Sequence, residues 1–244
     1  MSEFGRLVLF EEKDGAAFIR LNREEKANAY NEALLEEFSA ALSYCEKKAG
    51  AVRALVIASA GRRFFCAGAD KDELKGRGAD DSFGLRSREL FDRLAAWPGL
   101  SLAAVAGAAR GGGAELALAC DIRLVTEKAS FGFPELSLGL IPAAGGCRRL
   151  TALAGPGIAK DMILLGRVIE GREALRCGLA NYLCSEEEIT AKAEELARRV
   201  AQADFRALRL AKAACGLSAG AESPLSAAYE TCAQALLYEL KNRS

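Results

Sequence analysis

An α/β domain with a helical C-terminal section is predicted by three features of this 244-residue sequence. Short apolar runs with β-branched residues, such as Ala54–Ala58 and Leu102–Ala106, have the length and composition of buried strands. Strand, glycine-rich loop, helix and strand then recur, which points to crossover units and parallel pairing. From about residue 152 onward the pattern is almost wholly helical.

In chain order, Leu7–Glu11 and Ala16–Leu21, separated by Lys13-Asp14-Gly15, predict a β-hairpin. Asn31–Ala49 carries Leu34, Leu35, Phe38, Leu42 and Cys45 at helical spacing. The strand Ala54–Ala58 leads into a glycine-rich loop, Arg62–Asp70. Residues 71–81, charged and glycine-containing, predict a mobile surface segment, and Ser82–Ala96 a helix stopped by Trp97-Pro98-Gly99. The strand Leu102–Ala106 is followed by Gly107–Gly113, a helix over Ala114–Ala119 and a strand over Ile122–Thr126. Helices are expected at Ile158–Leu165, Gly171–Arg176, Glu187–Ala203, Phe205–Cys215 and Pro224–Lys241, with one further strand at Ala180–Cys184. No internal repeat or low-complexity segment interrupts this order.

Charge and composition narrow the function classes. Basic and acidic residues balance at 33 each, so there is no global bias toward nucleic acid or anionic membranes. No basic stripe with interleaved aromatics occurs, and no nucleic-acid partner is expected. The basic pairs Arg62-Arg63, Arg148-Arg149 and Arg198-Arg199 are read as solvated surface, with an anionic ligand as the alternative. The opening MSEFGRLVLFEEKDG lacks a signal peptide's basic start and apolar run, and no apolar stretch reaches membrane-spanning length. A soluble, cytoplasmic chain with no membrane partner is the expectation. The eight scattered cysteines contain no CxxC and predict buried thiols in a reducing compartment. The absence of histidine excludes a Ser/His/Asp triad, a Cys/His dyad and a His-based metal site, and no metal is expected. Acid/base work is left to carboxylates, lysine, tyrosine, cysteine or water.

Two carboxylates stand out. Glu115 follows Gly111-Gly112-Gly113-Ala114, and Glu135, twenty residues on, follows Phe131-Gly132-Phe133-Pro134. Both lie in the apolar middle of the chain, where an unpartnered carboxylate is costly. A pair whose environments push the pKa values apart can divide acid and base roles on one substrate. Solvated or ion-paired glutamates are the plainer alternative. The loops Phe65–Asp70 and Gly111–Gly113 could aim two backbone N–H groups at one oxygen, as in an oxyanion hole, or simply permit tight strand-to-helix turns. Neither a GxxxxGK[ST] nor a correctly framed GxGxxG motif is present.

FCAGAD, GGGAELALACDIRL and FGFPELSLGLIPAAGG, in this order and spacing, resemble the crotonase (enoyl-CoA hydratase/isomerase) superfamily. LNREEKANAYNEALLEEF resembles that family's early LNRP-x-K-x-NA segment, and the likeness runs from about Leu7 to about Leu240. The resemblance implies an α/β fold with a spiral of ββα turns and C-terminal helices that drive trimerisation. Residues 1–190 would form the acyl-CoA-binding and catalytic core and residues 191–244 the helical oligomerisation region, in a homotrimer or a dimer of trimers. It implies an acyl-CoA thioester substrate and no separate cofactor, coenzyme A being part of the substrate. At the matching positions Ala69 and Gly112 supply the oxyanion hole, and Glu115 and Glu135 are the catalytic acid/base pair, with Glu135 the proton donor to carbon. Lys26, Ala27, Ala67, Gly68, Asp70, Lys71, Gly111 and Ala143 fall in the substrate-binding set. The full carboxylate pair favours hydration of a 2-enoyl-CoA. A double-bond isomerase, another acyl-CoA enzyme of this type and a catalytically weak acyl-CoA-binding scaffold are the alternatives.

Four positions depart from the family pattern. Ala143 stands where the usual GLIPGAGG has a glycine. Arg110 occupies a position that is commonly apolar, and a structural ion pair is expected for it. The GADI-K pattern reads GADKDELK, which shifts the basic residue. The sequence ends at LKNRS where family members usually continue, which implies altered CoA affinity or oligomer packing. The acyl pocket is expected to be lined from the 71–97 segment, including Leu74, Phe83 and Phe91.

Overall fold

The computed structural model describes residues 4–76, 78, 80–82, 84–218 and 224–242. Strands β1 (Val8–Lys13) and β2 (Ala16–Leu21) form the expected hairpin across Asp14-Gly15. Helix α1 (Glu32–Lys47) starts at Asn31, whose side chain accepts from the Leu34 N–H at 3.0 Å. It buries Leu34, Leu35, Phe38, Ala41, Leu42 and Cys45. There follow β3 (Ala54–Ser59), β4 (Phe64–Cys66), the short α2 (Lys71–Leu74) and α3 (Arg86–Ala95). Next come β5 (Leu100–Val105), β6 (Ala108–Arg110), α4 (Gly112–Ala119), β7 (Ile122–Val125) and β8 (Ser130–Gly132). A 3-10 turn over Glu135–Leu138 precedes α5 (Gly146–Leu164), which breaks at Gly155-Pro156. The chain continues through β9 (Ile169–Glu170), α6 (Gly171–Arg176), β10 (Tyr182–Leu183), α7 (Ile189–Ala201), α8 (Phe205–Ser218) and α9 (Pro224–Asn242).

The strands sort into two sheets. The first runs β1-β2-β3-β5-β7-β10, parallel throughout except for the opening hairpin. The second runs β4-β6-β8-β9. Each turn of chain therefore gives one strand to the first sheet, a short one to the second, and then a helical segment: β3-β4-α2, β5-β6-α4 and β7-β8 with its 3-10 turn. This is the ββα spiral. The first sheet is buried on both faces with a period of two. Ile19, Leu21, Leu55, Ile57, Ala103, Val105 and Val125 face the main core, while Phe18, Val56, Leu102, Ala104 and Leu124 pack with Ile189, Ala193 and Ala197 of α7.

Several expectations need correction. The stretches expected as loop at Arg62–Asp70 and Gly107–Gly113 contain β4 and β6, and β8 and β9 carry no strand signal, because strands of two or three residues have no measurable period. The surface stretch after Asp70 carries α2 and a 3-10 turn over Asp80–Ser82, which the sequence reading did not assign. Helix α3 begins at Arg86, four residues later than expected. Arg110 has no carboxylate partner among the described residues; its guanidinium donates to the carbonyl of Ser130 at 2.8 Å and to the Ser130 hydroxyl at 3.0 Å. Of the cysteines, 45, 66 and 120 are buried, which pushes their thiols up to about 12, but 147, 215 and 232 are exposed.

Helices α8 and α9 pack on each other, and Lys212 ties α8 to the core. Its ammonium donates to the carbonyls of Trp97 at 2.7 Å and Gly99 at 3.1 Å and to Asp121 at 2.7 Å. Arg123 is fully buried and donates to the carbonyls of Cys120 and Leu179, each at 2.6 Å, closing the end of α4. Among the described residues no helix is long and apolar enough to cross a membrane.

Candidate active site

A cavity of about 510 Å³ opens where the second sheet hands its strands on to helical segments, at the ends of β4, β6 and β8. Ala67, Gly68, Ala69 and Lys71 line it from the first of these turns, Gly111, Gly112 and Glu115 from the second, and Pro134 and Glu135 from the third.

The first turn is fixed by the chain before α1. Tyr30 N–H donates to the Gly68 carbonyl at 2.8 Å, and Asp70 N–H to the Tyr30 carbonyl at 2.9 Å. This parallel bridge uses the groups on either side of Ala69, so the N–H of Ala69 itself faces away from Tyr30. Gly68 has φ +90°, and a β-carbon there would lie 2.9 Å from the Arg110 carbonyl oxygen and 3.1 Å from the Gly112 nitrogen. Only glycine lets the two turns approach this closely. Gly112 opens α4, and an N–H in the first turn of a helix has no intrahelical acceptor. Ala69 and Gly112 both line the cavity.

Glu115 lies one turn into α4 and is 3% exposed. Its carboxylate accepts from the Gly146 N–H at 2.7 Å. Burial raises its pKa, while the backbone N–H groups of Gly146 and Ala144 and the charges of Arg149 and Arg88 oppose that rise. Glu135 stands on the 3-10 turn with its carboxylate over Gly111, where a β-carbon would lie 2.8 Å from its Oε1. Gly111 also has φ +50°, so both shape and backbone call for glycine. The other carboxylate oxygen of Glu135, Oε2, is buried with no hydrogen-bond partner among the described residues. Burial, with the nearby charge of Glu115, pushes the Glu135 carboxyl up to about 7.

The remaining residues of the sequence-derived set are placed as follows. Ala143 lines the cavity, and its carbonyl accepts from Arg88 Nε at 2.8 Å. Asp70 also sits beside the cavity, but its side chain is engaged: it pairs with Arg23 at 2.7 Å and caps α2 by accepting from the Asp72 N–H. Ala27, at φ +53°, accepts from the Ala67 N–H at 3.0 Å, and so supports the first turn rather than lining the cavity. Lys26 is exposed at the end of a 3-10 turn outside it. Leu74 lines the cavity; Phe91 instead packs edge-on against Tyr30 in the core, and Phe83 lies outside the described residues.

Sequence reasoning missed the far wall, formed by Leu138, Leu140, Ile141 and Ala144, and the inward turn of Arg149. Apolar residues at 138–141 followed by Pro-Ala-Ala-Gly-Gly, too short for a helix and too glycine-rich for a strand, were the available signal. For Arg149 none existed, since a basic pair reads as surface.

Comparison with known proteins agrees with this geometry. The family model described as Enoyl-CoA hydratase/isomerase matches residues 11–243. A short-chain-enoyl-CoA hydratase of Clostridium acetobutylicum is 34% identical over 226 residues, covering 92% of this chain and 86% of that protein. A crotonyl-CoA hydratase of Syntrophomonas wolfei is 36% identical over 209 residues, covering 85% and 80%. The crystal structure of an enoyl-CoA hydratase from Bacillus anthracis superposes with a TM-score of 0.91 at 34% identity, covering 97% of this chain and 93% of that one. With the ββα spiral, the glycine turns and the family match in agreement, the chain belongs to the enoyl-CoA hydratase/isomerase family, the crotonase superfamily.

Proposed function

We propose that this protein is an enoyl-CoA hydratase, a carbon–oxygen lyase that adds water across the double bond of a 2-enoyl-CoA thioester. The observation that carries the reading is a single cavity shared by two unlike carboxylates and two backbone N–H donors.

The thioester oxygen lies between the N–H groups of Ala69 and Gly112. Negative charge develops on that oxygen during reaction, so the fixed donors stabilise the transition state more than the ground state. Glu115, gripped by backbone N–H groups, is the ionised partner and takes a proton from water as the water oxygen bonds to the β-carbon. The π electrons move to the thioester oxygen. Glu135, the protonated partner, delivers its proton to the α-carbon as the enolate collapses, and exchange with solvent resets both groups. Ala143 retains the backbone N–H that a glycine would offer, with its carbonyl fixed by Arg88. Lys71, exposed at the cavity, is suited to a phosphate of the CoA moiety. No cofactor beyond the CoA of the substrate enters this scheme. The α8–α9 pair, with Leu217, Leu225, Leu236 and Tyr238 exposed, supports assembly into a homotrimer or a dimer of trimers.

The test is addition of crotonyl-CoA with the conjugated thioester absorbance followed in time. Loss of absorbance is expected. Conversion of a 3-enoyl-CoA with no hydration of crotonyl-CoA would establish an isomerase instead.

A further inference from the structure

Ala143 and Ala144 line the cavity beside Glu115, and the 142–146 segment that carries them is held from behind by two arginines. Arg88 of α3 donates from Nε to the Ala143 carbonyl at 2.8 Å. Arg149 of α5 donates from Nη1 to the Ala144 carbonyl at 2.9 Å, and its backbone N–H donates to the Gly145 carbonyl at 2.9 Å. A planar trans peptide points its C=O and N–H in opposite directions. Holding the Ala143 carbonyl outward therefore turns the Ala144 N–H inward, and that hold is made by the Arg88 side chain. The Gly145 carbonyl is held by the main chain of α5, while the Arg149 side chain pins the Ala144 carbonyl between these two planes. The Gly146 N–H meets the Glu115 carboxylate at 2.7 Å. Arg149 is itself anchored: its side chain is 10% exposed, and Nη2 reaches Asp92 and the Phe91 carbonyl.

We infer that Arg88 and Arg149 are positioning residues that never touch substrate: Arg88 sets the peptide plane that turns the Ala144 N–H to Glu115, and Arg149 pins the adjoining Ala144 carbonyl, so that Glu115 enters the reaction as an aimed carboxylate. The inference rests on the assignment of Glu115 as the base. It extends that assignment to two side chains which neither the sequence motifs nor the cavity lining single out. Their positive charges act in the same direction as their hydrogen bonds, both favouring the ionised form of Glu115. The other titratable groups facing Glu115 are Glu135 on the 3-10 turn and the Cys147 thiol on α5, with Tyr30 and Lys71 on the same cavity and Asp92 and Arg148 behind Arg149. None of these supplies a second cation in contact with the 143–146 carbonyls among the described residues.

The experiment compares the parent protein with R88M, R149M and R149K in two readouts. The first is kcat and KM for crotonyl-CoA across pH. The second is the titration of the Glu115 carboxyl, followed by carbon-13 NMR of glutamate-labelled protein and assigned with E115Q. For R88M and R149M the expected result is a fall in kcat of about 10–100-fold with KM changed less than about 3-fold, as for a misaimed reacting group. The Glu115 midpoint and the acid limb of kcat/KM should move to higher pH, because a carboxylate that loses donors and nearby positive charge ionises less readily. R149K, which keeps the charge but not the fork, should lose kcat with a smaller movement of the limb. The inference is overturned if folded R88M and R149M titrate Glu115 as the parent does and keep its kcat, or if they lose only thermal stability. Should R149M not fold, R88M, whose side chain is exposed, decides the matter by the same two readouts. A parent protein that does not hydrate crotonyl-CoA would defeat the hydratase reading, whereas the Glu115 titration would still decide this one.

Discussion

Glu115 and Glu135 open onto one cavity from opposite kinds of structure. Glu115 sits inside a regular helix, almost fully buried, with backbone N–H groups directed at its carboxylate and two arginines behind them. Glu135 sits on a 3-10 turn, partly exposed, with one oxygen that no donor reaches among the described residues. Burial raises both pKa values; for Glu115 the N–H groups of Gly146 and Ala144 and the charges of Arg149 and Arg88 oppose the rise, for Glu135 only its own backbone N–H does. Once Glu115 ionises, its charge adds to the cost of ionising Glu135. In the mechanism proposed above, the same residue type serves as base on one wall and acid on the other, and the difference lies in the donors around each carboxylate.

The largest effect expected from this contrast is on turnover. Glu115→Gln and Glu135→Gln should each lower kcat for hydration of crotonyl-CoA by about 10²–10⁴-fold, the range for loss of a positioned acid or base. A steady-state assay checks this, and a variant retaining near-parental kcat would remove that residue from the chemistry.

A pH profile sharpens the comparison. In the proposed mechanism the donor Glu135 must be protonated, so kcat/KM should decline as pH rises through about 7. The base Glu115 must be ionised, so activity should also decline on the acid side. The two limbs belong to the coupled pair rather than to either residue alone. A profile flat from pH 6 to 9 would contradict the division of labour.

A smaller effect is expected on stability. In the unfolded chain Glu135 ionises at an ordinary carboxylate pKa, and in the folded protein only near 7. Between those values the folded state holds more protons, so its stability falls as pH rises through that window. Replacing Glu135 with the neutral Gln should therefore raise the melting temperature at pH 8 and leave it nearly unchanged at pH 4. The gain is about 1–2 kcal/mol after discounting for the partial exposure of the carboxyl. An E135Q protein that melts lower than its parent at pH 8 would show that the carboxylate is held by contacts stronger than those around Oε2.

Some of this was open to sequence reading and some was not. The first sheet was legible because β3 and β5 are full-length apolar runs between glycine-rich turns. The second sheet was not: β4, β6, β8 and β9 have two or three residues each, and their pairing is set by partners far away in sequence. Yet those short strands place every turn that lines the site. The two glutamates could be found because a carboxylate in apolar sequence needs a reason to be there. Arg149 could not, because the same Arg-Arg pair divides its side chains, Arg148 outward and Arg149 inward, and only the fold decides which. Arg110 misled in the opposite way: an arginine among small apolar residues suggested an ion pair, and carbonyl and hydroxyl oxygens of Ser130 satisfy it instead.

The division of labour between the two carboxylates is tested most directly by exchange of the α-protons of butyryl-CoA with deuterated water, followed by proton NMR. This saturated thioester can form the enolate but has no double bond for water to add to. Exchange therefore calls on the oxyanion donors and on the group that moves the proton at carbon. Glu115→Gln should keep exchange within about 10-fold of the parent while losing hydration, and Glu135→Gln should lose both. Exchange that survives in E135Q and disappears in E115Q would contradict this division of labour and reverse the two roles.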